Sequence, residues 1–105
     1  MSEPRIGDVA RKVRSKNAGP FVLTIDVFCA DAGRFRAVCD ALRTERIAAL
    51  FGQAPELVRR FELDRLNVLK FSMPRPVVQG SRADRDMHAS GWGWLVAELP
   101  LREGR

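Results

Sequence analysis

Apolar residues recur along this chain at two spacings, one helical and one alternating. Ile6, Val9, Ala10 and Val13 fall at i, i+3, i+4 and i+7, with Arg11, Lys12 and Arg14 off the stripe. That spacing predicts a helix over residues 6–15, stopped by Asn17, Gly19 and Pro20. From Phe21 the period changes to two. Phe21, Leu23, Ile25 and Val27 form one face of a predicted strand over 21–28, and Val22, Thr24, Asp26 and Phe28 form the other. Apolar residues on both faces point to a central strand, which makes Asp26 a carboxylate in an unusual place. Asp31 can cap the next helix, which runs to about Leu42 with Phe35, Val38, Cys39 and Leu42 on its stripe. Thr44 can cap a further short helix that Gly52 ends. Pro55 suits a helical first turn, and Leu57, Val58 and Phe61 follow at helical spacing. Alternation returns over 66–73, with Leu69, Phe71 and Met73 inward and Val68, Lys70 and Ser72 opposite. Pro74 and Pro76 end that strand, because proline cannot donate to a ladder. A loop from 77 to about 90 follows, and residues 92–99 read as a last strand closed by Pro100.

This order predicts an α+β fold: a small, mostly antiparallel sheet of three or four strands with helices packed on one face, of ferredoxin-like or split β-α-β character. The 105 residues make one domain, 1–105, with loose ends at 1–4 and 101–105. A chain of this size buries enough surface for one core to stabilise it without staples.

Composition narrows the class. With 46% hydrophobic and 30% charged residues, the chain reads as an ordinary globular domain rather than a disordered one. No apolar run approaches the roughly 18 residues needed to cross a membrane. The beginning Met-Ser-Glu-Pro-Arg lacks the apolar stretch of a signal peptide. The expectation is a cytoplasmic protein without a membrane partner. Cys29 and Cys39 read as two buried thiols, with no CxxC, and a single His cannot complete a zinc site. No metal is expected. The net charge of +5 raises nucleic acid as a partner. The charge is spread along the whole chain, however, and there is no Tyr to add to the stacking surfaces. Nucleic-acid binding is therefore a remote alternative to a small anion or a protein partner.

Two polar clusters carry the candidate chemistry. In the first, Arg14, Ser15, Lys16 and Asn17 precede Gly19-Pro20. An Arg fork and a Lys ammonium held this way could clamp a carboxylate or phosphate; as a helix end, the same residues would simply cap carbonyls. In the second, Arg75 lies between two prolines, and Gly80 leads into Asp84, Arg85 and Asp86, where the two carboxylates could orient the guanidinium. The alternative there is a solvated, salt-bridged loop. Asp26 and Lys70 could pair across neighbouring strands. His88, with Asp86 beside it, is a possible acid-base group, and Lys16 is a second catalytic candidate. There is no P-loop, no GxGxxG and no nucleophile elbow, so no cofactor is expected and no reaction is named. Trp92 and Trp94 are candidate interface anchors, for a partner or for self-association. If the strand after Gly19-Pro20 and the strand before Arg75 are antiparallel neighbours, the two clusters form one site with Lys16 close to Arg75.

The run Arg14-Ser-Lys-Asn-Ala-Gly-Pro-Phe21, the Arg75-Pro76 step and the loop from Gly80 to Asp86 resemble a small bacterial family of unknown function associated with acyclic terpene utilisation (AtuA-type) proteins. The resemblance extends from Arg5 to Leu99. It implies a ferredoxin-fold small subunit or stand-alone domain working with an AtuA-type large subunit. The implied setting is catabolism of branched or terpenoid acids as CoA thioesters. The alternative is an independent small enzyme acting on a carboxylate or acyl-CoA. Over residues 87–94 the chain departs from the family pattern, so no role is carried over there. Arg14, Lys16, Asn17, Arg75, Asp84, Arg85 and Asp86 are the candidate binding residues.

Overall fold

A computed structural model describes residues 3–75 and 91–102. Four strands form one antiparallel sheet in the order β1-β2-β4-β3: β1 Lys12–Asn17, β2 Val22–Phe28, β3 Arg59–Leu63 and β4 Val68–Pro74. The helices are α1 Ile6–Val9, α2 Ala32–Ala41, α3 Thr44–Leu50 and α4 Trp92–Ala97, with a 3-10 turn at Pro55–Leu57. β2 and β3 run parallel with β4 between them, connected through α2 and α3, which is a split β-α-β unit. β1 and β4 likewise run parallel on either side of β2. These are the strand directions of a ferredoxin-like sheet, entered so that one outer strand comes first in the chain.

The alternating strands pack as their patterns require. Leu23, Ile25 and Val27 of β2 lie opposite Met73, Phe71 and Leu69 of β4, and all six are buried. Phe35, Val38, Cys39 and Leu42 close over them from α2 and its C-cap, and Asp31 caps that helix by accepting from the Arg34 N–H. α3 begins at Thr44 itself, with Arg43 before it, so Thr44 is the first helical residue rather than the cap. The two ends meet: Leu101 N–H donates to Pro4 O, and Ile6 N–H to Leu99 O.

Three expected elements differ. The helix over 6–15 is only one turn, Ile6–Val9, because Ala10 is extended and the chain enters β1. The inward positions of β1 are Val13, Ser15 and Asn17; two of the three are polar and satisfied by hydrogen bonds, so the strand carries no apolar alternation. The helical spacing of Leu57, Val58 and Phe61 belongs instead to the 3-10 turn and β3, where Phe61 points outward on an edge strand. The strand expected over 92–99 is α4. Its run is apolar nearly all round, which leaves helix and strand indistinguishable by period. The helix buries Gly93 and Val96 and exposes Trp94 and Leu95.

Candidate functional site

The end of β4 lies beside the start of β2. Val22 pairs with Pro74, and Arg75 N–H donates to Phe21 O at 2.7 Å. Gly19, at φ +86°, makes the turn that returns β1 into β2, and Ala18 N–H donates to Val22 O. These two strand pairings bring the first polar cluster against Arg75. Its Nε donates to Asn17 Oδ1 at 2.7 Å, and its guanidinium carbon lies 4.7 Å from the centre of the Trp92 ring. Arg75 is 7% exposed, so this cation is largely removed from water. Trp92 packs in turn on Phe51, with ring centres 6.4 Å apart. A hydrogen bond on one side and an aromatic face on the other hold the guanidinium in one orientation.

α4 is seated on β1 by a second buried contact. Gly93 N–H donates to Ser15 Oγ at 2.7 Å. A Cβ at position 93 would lie 3.3 Å from Ser15 N and 3.4 Å from the Arg14 carbonyl carbon, so a side chain here would need the β1 backbone to give by a few tenths of an ångström.

The clusters therefore meet through Asn17 and not through Lys16. Consecutive strand residues point to opposite faces; Asn17 faces Arg75, while Lys16 is exposed on the other side with Lys12 and Arg14. That open face is basic. Arg14 pairs with the buried Asp26 at 3.3 Å and covers the Phe28 ring at 5.2 Å. Lys70 stands opposite Asp26 in the register, but among the described residues the ion pair of Asp26 is with Arg14. Asp84, Arg85, Asp86 and His88 lie outside the described residues, as does the loop that contains them.

An open cleft of about 350 Å³ adjoins the same end of the sheet. Phe21, Val22, Leu57, Met73 and Pro74 supply its apolar lining, Ser72 a hydroxyl and Arg59 a positive charge. Elsewhere, burial raises the thiol pKa of both Cys29 and Cys39 and leaves them poor nucleophiles. Among the described residues, no group of three or more His, Cys, Asp or Glu side chains is placed to hold a metal ion. No described helix is long and apolar enough to cross a membrane.

Fold and corner together define a small α+β domain that holds a buried arginine between an amide and an indole. A family model described as a domain of unknown function (DUF4387) matches residues 6–96, and the chain belongs to that family. No curated protein and no solved structure matches it. Sequence reasoning missed Trp92 as the partner of Arg75. The signal was a Gly93 between two tryptophans, a spacing that fits a helix pressed on a strand.

Proposed function

We propose that the chain is an accessory domain that docks on a larger AtuA-type partner in the breakdown of branched or terpenoid acids, handled as CoA thioesters in the cytoplasm of a bacterium. The observation that carries this reading is the double use of α4. Its first residue, Trp92, faces inward and stacks on Arg75. Two residues on, Trp94 is 67% exposed beside the exposed Leu95. A large exposed indole is a typical interface anchor. A partner gripping Trp94 would press on the helix that orients Arg75, so docking and the charged corner are mechanically joined. The family match and the resemblance of residues 14–21 supply the context. The cleft with Arg59 at its wall suits the carboxylate or thioester end of an acid with an apolar body.

The test is co-purification with a tagged AtuA-type protein from the same genome, with and without an acyl-CoA. The wild-type chain is expected to associate at micromolar concentration and Trp94→Ala to lose association. Arg75→Lys is expected to keep association but weaken the response to the acyl-CoA. Absence of association in both conditions would overturn the reading.

A further inference from the structure

The two edges of the sheet are finished differently. β1 presents Lys12, Arg14 and Lys16 on its open-face side, three cations at alternate positions, which is how proteins protect an edge strand from pairing. β3 at the other edge has no Pro and no Lys. It presents Arg59, Phe61 and Leu63 on that face, with Phe61 42% and Leu63 40% exposed. Among the described residues, no strand pairs with its outer side. Leu57, before the strand in the chain, and Leu66, after it, are exposed as well.

Such an edge is a template for another strand, and the sequence of β3 is complementary to itself. Set antiparallel to a second copy with Phe61 on the two-fold axis, Arg60 faces Glu62 of the second copy and Glu62 faces its Arg60. Arg59 faces Leu63, and Phe61 faces Phe61. Within one strand Arg60 Nε already donates to Glu62 Oε2 at 2.9 Å, so pairing creates a square of alternating charge. An axis moved by one residue sets Arg60 against Arg60 or Glu62 against Glu62. An axis between residues would oppose side chains that point to different faces of the sheet. Of these registers, the one on Phe61 satisfies both charge and face.

We propose that β3 pairs with β3 of a second copy, antiparallel about Phe61. The result is a continuous eight-stranded sheet with a lysine-bearing β1 at each outer edge. The surface is remote from α4, which packs on β1, so this proposal stands or falls separately from docking through Trp94.

Sedimentation at about 0.1 mM chain, enough to populate a complex of micromolar Kd, is expected to show a dimer. Register is read by cross-linking with oxidised glutathione. The Cα atoms of a directly opposed pair lie about 4.5–5.5 Å apart, within disulfide range, so Phe61→Cys is expected to form a covalent dimer. Arg59→Cys is not expected to link to itself, because the two positions lie roughly 13–14 Å apart along the pair. A mixture of Arg59→Cys and Leu63→Cys chains is expected to link. The wild-type chain, whose cysteines are buried, is the control. Glu62→Arg is expected to raise the dimer Kd at least about tenfold, by setting like charges opposite twice. A monomer at that concentration overturns the proposal. So does a dimer in which Phe61→Cys fails to link, or in which Arg59→Cys links to itself equally well.

Discussion

The Nε of Arg75 donates to Oδ1 of Asn17 at 2.7 Å, across a separation of 58 residues. The bond ties the last residue of β1 to the residue that leaves β4, so it closes the same end of the sheet that β2 opens. Asn17→Ala removes an acceptor from a buried guanidinium, and the expected loss is about 1.5–3 kcal/mol of stability. Arg75→Lys keeps the charge but cannot reproduce the planar stack on Trp92. Denaturant unfolding of both variants measures the loss. Trp fluorescence should change in Arg75→Lys, because the indole of Trp92 loses the guanidinium stacked on its face.

Gly93→Ala tests the seat of α4. Alanine favours a helix over glycine by up to about 1 kcal/mol, but its Cβ would meet the backbone of β1, which has little room to move. The expected outcome is a net loss of about 1–2 kcal/mol. Ser15→Ala should cost a similar amount, by leaving the Gly93 N–H without its acceptor. A neutral Gly93→Ala in thermal unfolding would mean that α4 rides freely over β1.

How legible these features were depends on where each element keeps its apolar residues. β2 and β4 lie at the centre and bury Leu23, Ile25, Val27, Leu69, Phe71 and Met73, so their alternation was plain. α2 carries a full stripe and an Asp31 cap, and was plain for the same reason. The edge strands were hidden. β1 turns Ser15 and Asn17 inward, where hydrogen bonds replace apolar burial, and β3 turns Phe61 and Leu63 outward. The meeting of Asn17 with Arg75 could be anticipated from antiparallel pairing of β2 with β4. The separation of Lys16 from Arg75 could not, because reading residues 14–17 as the end of a helix assigns no alternating faces to Lys16 and Asn17.

Among the described residues, two surface carboxyls with lowered pKa contribute to the acid limb of stability. The side chain of Arg60 hydrogen-bonds Glu62 and lowers its pKa, helped by the charges of Arg60 and Arg36. Asp31, the N-cap of α2, has its pKa lowered by the backbone N–H it accepts from Arg34, helped by the Arg34 side chain. A carboxyl depressed in the folded state stabilises fully above its unfolded pKa of about 4, and that contribution is lost as pH falls through the lower folded value. Stability should therefore stay level from neutral pH to about pH 5 and decline below about pH 4. Denaturant midpoints across that range check the shape, and Glu62→Gln should shallow the decline.

Arg60 holds α2 from outside the helix. Its two terminal nitrogens donate to Leu42 O and to Cys39 O, the latter at 2.8 Å, and its guanidinium covers the Phe71 ring at 5.5 Å. These carbonyls belong to the last turn of α2, where the helix has no amides left to satisfy them and where positive charge is favoured. Leu42, the C-cap, is not in the left-handed conformation that a glycine cap would adopt, so a side chain from β3 takes that role. Arg60→Met preserves the stem against Phe71 and deletes the donors. The expected loss is about 2–3 kcal/mol, more than for a typical surface arginine, because two partly buried hydrogen bonds to a helix end are lost. Arg60→Lys should recover only part of it, since one ammonium cannot span both carbonyls in the guanidinium plane. Amide hydrogen exchange separates this effect from general destabilisation. Protection in the last turn of α2 should fall in Arg60→Met, while the amides of β2 track only the change in global stability.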